Sequence, residues 1–129
     1  MTQLHELIVS SRDAAVLSSL MRERGPAPLL EDLLLEARRV LPDELPADRI
    51  AMESNVTYEE EPGGERRRVI VVHPDEADAA FGRISVLSPV GLALLGRAPG
   101  ERVSAALPGG RALSIRILET SPRREPVLA

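Results

Sequence analysis

The stretch Gly82-Arg83-Ile84-Ser85-Val86-Leu87-Ser88-Pro89-Val90-Gly91-Leu92-Ala93-Leu94-Leu95-Gly96 decides how the rest of the chain is read. Arg83 to Leu87 has the branched residues of a strand. Ser88 then offers a hydroxyl cap, Pro89 fits a first helical position and Gly96 suits a helix end. A strand running into a short helix that covers one sheet face is expected. Further strands are expected at Val56 to Glu60 and Arg67 to His73, and at Arg102 to Leu107 and Ala112 to Glu119. The last alternates Leu113, Ile115 and Ile117 with Ala112, Ser114 and Arg116, so one face is solvated and the sheet reads as antiparallel. Pro62-Gly63-Gly64 and Pro108-Gly109-Gly110 fall between strand pairs as hairpin turns.

Upstream the period changes. Ser10-Ser11-Arg12-Asp13 fits a capping box, and Ala14, Val16, Leu17, Leu20 and Met21 recur at helical spacing up to Arg24. Gly25-Pro26-Ala27-Pro28 stops that helix. A second is expected from Leu29 to Leu41, with Leu30, Leu33, Leu34, Ala37 and Leu41 as its stripe and Pro42 closing it. The short link makes the two antiparallel neighbours, a two-helix coil with arms of roughly 20 Å. Pro42 to Pro46 reads as a linker. The fold class is thus α+β: residues 1–46 as an amino-terminal segment and helical hairpin, 47–119 as the sheet domain, and 120–129 as a flexible tail.

Composition narrows the chemistry. The 129 residues are 43% apolar and 28% charged, enough for a packed core and a wet surface. With no cysteine, the chain has no disulfide, thiolate metal site or thiol nucleophile. All sixteen basic residues are arginine, so no phosphate-loop or Schiff-base lysine exists. A net charge of −4 and a pI near 5.2 have the wrong sign for a bare nucleic-acid partner. Tyr58 and Phe81 alone cannot form a base-stacking platform. A protein partner is favoured over nucleic acid or membrane. Met1 to Glu6 has no basic leader character, and the apolar run Leu7-Ile8-Val9 is short, so a cytoplasmic location is expected.

The polar clusters have plain explanations. Glu59-Glu60-Glu61 and Arg66-Arg67-Arg68 face one another across a hairpin, and cross-strand ion pairing is favoured over anion binding. His73, Asp75, Glu76 and Asp78 lie together, but Pro74 marks a turn and the spacing suits no metal site. Ser85, Ser88, Ser104 and Ser114 lack a histidine-acid arrangement for nucleophilic catalysis. Glu31 and Asp32 fit the positive end of the second helix, with Arg38 and Arg39 at its other end. The sharper reading is that Glu31 and Asp32 form a carboxylate pair presented to a metal ion at the hairpin tip, which also holds Glu23 and Arg24.

The strings Gly82 to Gly91, Ala93-Leu94-Leu95-Gly96 and Leu107-Pro108-Gly109-Gly110 resemble the carboxyl-terminal domain of the bacterial GreA/GreB transcript-cleavage factors. Over residues 10–119 the chain resembles still more the shorter Rnk-type regulators of nucleoside diphosphate kinase in the same family. The resemblance implies an FKBP-like sheet lobe holding a short helix, and docking at the secondary-channel rim of RNA polymerase on the β′ subunit. It assigns the contact to Leu87, Ser88, Pro89 and Gly91, with Leu87 replacing a polar residue of the Gre factors. Those factors use a long coiled coil with an acidic tip that helps hold a catalytic magnesium ion. Arms of roughly 20 Å are too short for that reach.

The expectation is a non-catalytic, cofactor-free transcription regulator that binds RNA polymerase and competes with Gre-type factors. The alternative is a Gre-like cleavage factor working through Glu31 and Asp32. Prolyl isomerase activity would need an aromatic pocket that Tyr58 and Phe81 cannot build. The leucines at 29, 30 and 33–35 exceed what one hairpin seam needs, and Leu35 is the residue left over for self-association.

Overall fold

The computed structural model describes residues 6–25 and 27–122. The chain opens with strand β1 (Ile8–Ser10), followed by helices α1 (Ser11–Arg24) and α2 (Pro28–Glu36) and strand β2 (Arg38–Val40). Ser10 caps α1: its Oγ accepts the Asp13 N–H at 3.0 Å. The Asp13 carboxylate also accepts the Met52 N–H at 3.0 Å, a role the capping-box reading does not contain. Ala14, Leu17 and Leu20 are buried along α1, and Leu30, Leu33 and Leu34 along α2. Gly25 at φ +85° closes α1, its N–H reaching the Met21 carbonyl at 3.0 Å.

The second helix stops five residues before the expected Leu41. Ala37 turns extended, and the Arg38 N–H donates to the Leu7 carbonyl at 2.8 Å, so the backbone joins a parallel ladder pairing Ile8 with Arg38. Arg38 and Arg39 therefore belong to β2, not to a helix end. Leu41 lies past the helix and is 58% exposed. The acid-rich linker is a 3-10 turn at Pro42–Glu44.

The main sheet contains β3 (Asn55–Glu61), β4 (Arg66–Val72), β5 (Arg83–Ser85), β6 (Arg102–Ala106) and β7 (Ala112–Ser121), in the order β5-β4-β3-β7-β6. It is mixed, not wholly antiparallel: β5 runs parallel to β4, with Ile70 opposite Arg83. The residues between them, which include 3-10 turns at Pro74–Glu76 and Ala79–Phe81, carry the chain back to Ile70 in the second half of β4. β5 ends at Ser85 because Val86 and Leu87 form the turn into helix α3 (Pro89–Leu94). The expected tail begins too early, since Thr120 and Ser121 pair with Val56 and Asn55. Residues 123–129 of that tail, and Pro26 of the expected link, lie outside the described residues.

One apolar cluster joins Leu17, Leu20 and Leu30 to Val56, Val71, Leu94 and Ile117. The helical pair and the sheet thus share a core across the Pro42–Pro46 linker. Among the described residues no helix is long and apolar enough to cross a membrane.

Asp13 yields a pH prediction. Burial raises its carboxyl above 3.8, opposed by the Met52 N–H and the Arg12 charge and reinforced by Glu53. The folded chain holds that proton more tightly than the unfolded chain. Its contribution to stability is therefore complete below the unfolded value and is lost as pH rises through the raised folded value. Urea melts of Asp13→Asn should show a flatter pH dependence across that acidic window. Asp13→Ala, which strips an acceptor from the Met52 N–H, should cost about 1–3 kcal/mol at neutral pH.

Candidate partner-docking site

The turn from β5 into α3 is built almost entirely by two serines. The Ser85 Oγ accepts the Leu87 N–H at 3.0 Å, and the Ser88 Oγ accepts the Gly91 N–H at 3.1 Å while donating to the Ser85 carbonyl at 2.6 Å. The Ser88 carbonyl accepts the Leu92 N–H at 2.9 Å. Val86, fully buried, pins the turn from below through its N–H to the Val72 carbonyl at 2.8 Å. The backbone is held without help from outside.

This sorts the four residues assigned to partner contact. The Ser88 hydroxyl is engaged inside the turn. Gly91 is buried, and a Cβ there would stand 2.2 Å from the Ser85 carbonyl oxygen, so close backbone approach explains the glycine. Leu87 and Pro89 are half-buried and present apolar surface at the rim of a rigid turn.

Pro89 also lines an open groove between α3, α2 and β6. Leu92 shares its wall, Leu29, Asp32 and Leu33 form the helical side, and Val103 closes it from the sheet. The structure therefore brings together Asp32 of the acidic tip and Pro89 of the turn. It does not bring Glu23, Arg24, Glu31 or Leu87 into that groove. Asp32, Glu36 and Arg97 also line it, and Arg102 marks its edge at the start of β6, its guanidinium paired with Glu61. All four tip residues are exposed, and Arg24 reaches Asp75 at 3.6 Å, so α1 is tied to the sheet half at its end as well as at Asp13.

The other clusters act locally. The His73 Nδ1 accepts the Asp75 N–H at 3.1 Å, and the Asp78 carboxylate caps the Ala80 N–H at 3.1 Å. Arg67 pairs with Glu60, and with Glu65 at 3.1 Å; Arg102 pairs with Glu61 at 3.2 Å. The acid and arginine runs thus pair in part, through Arg67 and a β6 arginine rather than through Arg66 or Arg68. Tyr58 is 4% exposed within the core, whereas Phe81 is 74% exposed, so the two aromatics share no pocket.

Two residues that hold the segments around the site, Arg49 and Glu101, carry no sequence signature, and a third, Asp13, shows only part of its role. Arg49 donates to the Gly96 carbonyl at 3.2 Å and to the Glu6 carbonyl, joining β1 to the end of α3. The buried Glu101 accepts the Ala98 N–H at 2.6 Å. Asp13 was legible as a cap but not as the acceptor for Met52. All three depend on contacts between distant segments, or on a turn whose shape only the fold defines.

Residues 45–122 match the family model described as transcription elongation factor GreA/GreB, carboxyl-terminal. The chain belongs to the GreA/GreB family. The turn from β5 into α3 and α3 itself both fall inside the GreA/GreB match. The helical pair lies outside it; a longer similarity is to the regulator of nucleoside diphosphate kinase of Escherichia coli, 32% identical over 88% of this chain and 87% of that protein. The transcription elongation factor GreA of Desulfovibrio desulfuricans is 45% identical over 54% of this chain, and the match spans 43% of that relative's length. Among solved structures, a transcription elongation factor GreA/GreB from Nitrosomonas europaea aligns with TM-score 0.72 and 35% identity, covering 92% of this chain and 99% of that one.

Proposed function

We propose that this chain is a non-catalytic transcription regulator that binds RNA polymerase in the cytoplasm at the rim of the secondary channel. Its FKBP-like sheet lobe is the anchor, Leu87 and Pro89 make the β′ contact, and Ser88 and Gly91 hold that turn in shape. The helical pair shares the channel mouth and competes with Gre-type factors. Membership of the GreA/GreB family supports the partner. The observation that carries the non-cleaving part is the placement of α1, bonded to the sheet half through Asp13 at its start and Arg24 at its end. Helices of roughly 21 and 14 Å, laid on the lobe, keep Glu31 and Asp32 close to the anchor.

Retention of purified core polymerase by the tagged chain tests this reading. Leu87→Ala with Pro89→Ala should lower retention at least about tenfold, equivalent to about 1.4 kcal/mol, at a temperature where melting profiles show parent and variant both folded. Equal retention by the variant would remove the assigned contact. Shortening of RNA in stalled elongation complexes on addition of the chain would replace the regulator with a cleavage factor acting through Glu31 and Asp32.

A further inference from the structure

The outer face of the five-stranded sheet has chemistry that the docking turn does not use. Residues opposite one another on paired strands share a face. The register therefore places Arg66 and Arg68 of β4, Arg83 of β5, Arg102 of β6 and Arg116 of β7 on the side away from the core. Glu59, Glu61 and Glu119 lie among them. On the strands themselves five arginines stand against three glutamates, while the turns on the far side of Phe81 add Asp75, Glu76 and Asp78, so the positive part of the face is the stretch from Arg68 across to Arg116.

Two features go beyond charge excess. Arg102 stands directly opposite Arg116, a like-charge pairing that Glu61 beside Arg102 and Glu59 across from Arg116 offset in part. Arg102 has Glu61 as partner, but among the described residues Arg66, Arg68, Arg83 and Arg116 form no ion pair. Beside these arginines, Phe81 and Ile70 line a concavity together with Thr57 and Arg68. Phe81 is the chain's sole phenylalanine, and at 74% exposure it gains nothing from the core. An exposed aromatic with Arg68 on one side, and with Asp75, Glu76 and Asp78 only on the other, has the composition of an interface anchor on its Arg68 side.

We infer that this face is a second docking surface, for an acidic protein segment that seats one apolar side chain on Phe81 and Ile70 and sets carboxylates on Arg68 and Arg116. A nucleic-acid backbone fits less well, because phosphates at regular spacing would meet Glu59, Glu61 and Glu119, whereas a peptide can place neutral side chains opposite them. The inference is independent of the polymerase reading, since Leu87 lies outside this surface.

The test is fluorescence anisotropy of the full chain with a labelled peptide of aspartate and glutamate carrying one central leucine. The parent chain should bind it. Arg68→Glu with Arg116→Glu, and separately Phe81→Ser, should each weaken binding at least about tenfold, and Leu87→Ala should leave it unchanged. Arg68, Arg116 and Phe81 are exposed and Leu87 is half-buried, so a melting profile of each variant accompanies its binding curve. Absence of binding by the parent, equal binding of a peptide with serine in place of leucine, or tighter binding of a single-stranded oligonucleotide of equal charge would each overturn the inference. So would a concentration-dependent dimer that Phe81→Ser dissolves, which would make a second copy the occupant.

Discussion

Gly91→Ala should destabilise the chain by about 3 kcal/mol, at the upper end of the range for overpacking a closed site, and lower the melting temperature by roughly 10 °C. The added methyl would stand 2.2 Å from the Ser85 carbonyl oxygen and 3.0 Å from the Val86 Cα. Both are backbone atoms, so no side chain can swing aside. The oxygen is also fixed, accepting the Ser88 hydroxyl at 2.6 Å and the Ser88 N–H at 3.0 Å. Relief must come from moving α3 away from β5, which opens the packing around the fully buried Leu94 and Val86. Gly63→Ala is the control: that glycine has open space around it and no positive φ, so the change should fall within about 0.5 kcal/mol. Thermal melts of both variants, read by circular dichroism, decide the matter. A Gly91→Ala melt matching that of Gly63→Ala would refute the close-approach account of this glycine.

The contrast between Gly91 and its neighbours shows what the sequence alone could carry. Ser88, Pro89 and the glycine pair of each Pro-Gly-Gly turn act through local geometry, and the structure has them as cap, first helical residue and hairpin turns. Gly91 reads as part of a motif in the sequence, but its physical reason is a carbonyl six residues earlier that only the fold brings near. The same limit applies to β1 and β2. Three-residue strands are too short to show alternation, and Leu7, Ile8 and Val9 are all buried, so no solvated face betrays a strand. Arg38 and Arg39 then look like helix-end charges until the Leu7 carbonyl claims the Arg38 N–H. The parallel placement of β5 depends on the path of the preceding turns, which hydrophobic period does not encode. At the candidate site the turn was legible, but the groove joining Asp32 to Pro89 was not, because it exists only where α2 meets α3.

Leu17→Ala should destabilise the sheet as strongly as Leu94→Ala, by about 3 kcal/mol each, although Leu17 lies in the helical pair and Leu94 in the sheet half. Both side chains are fully buried in the same apolar cluster, so either truncation leaves a cavity in one shared core. Backbone bonds reinforce the coupling. The Ile8 N–H reaches the Gly96 carbonyl at 3.3 Å, and the Asp13 carboxylate holds the Met52 N–H across the linker. Gly96 itself lies beneath β1, where a Cβ would meet Leu7 Cδ1 at 2.7 Å, so the strand packs directly on the end of α3. Hydrogen exchange at the Val56 and Tyr58 amides of β3 distinguishes a shared core from two separate ones. With one cooperative unit, Leu17→Ala accelerates exchange there by the factor its global destabilisation dictates, about 100-fold for 3 kcal/mol. With an independently stable sheet, those amides would exchange at the parent rate and the melt would split into two steps. A shared core would also bind function to stability, because the helical pair could not swing away from the lobe without opening the cluster that keeps Leu87 and Pro89 in place.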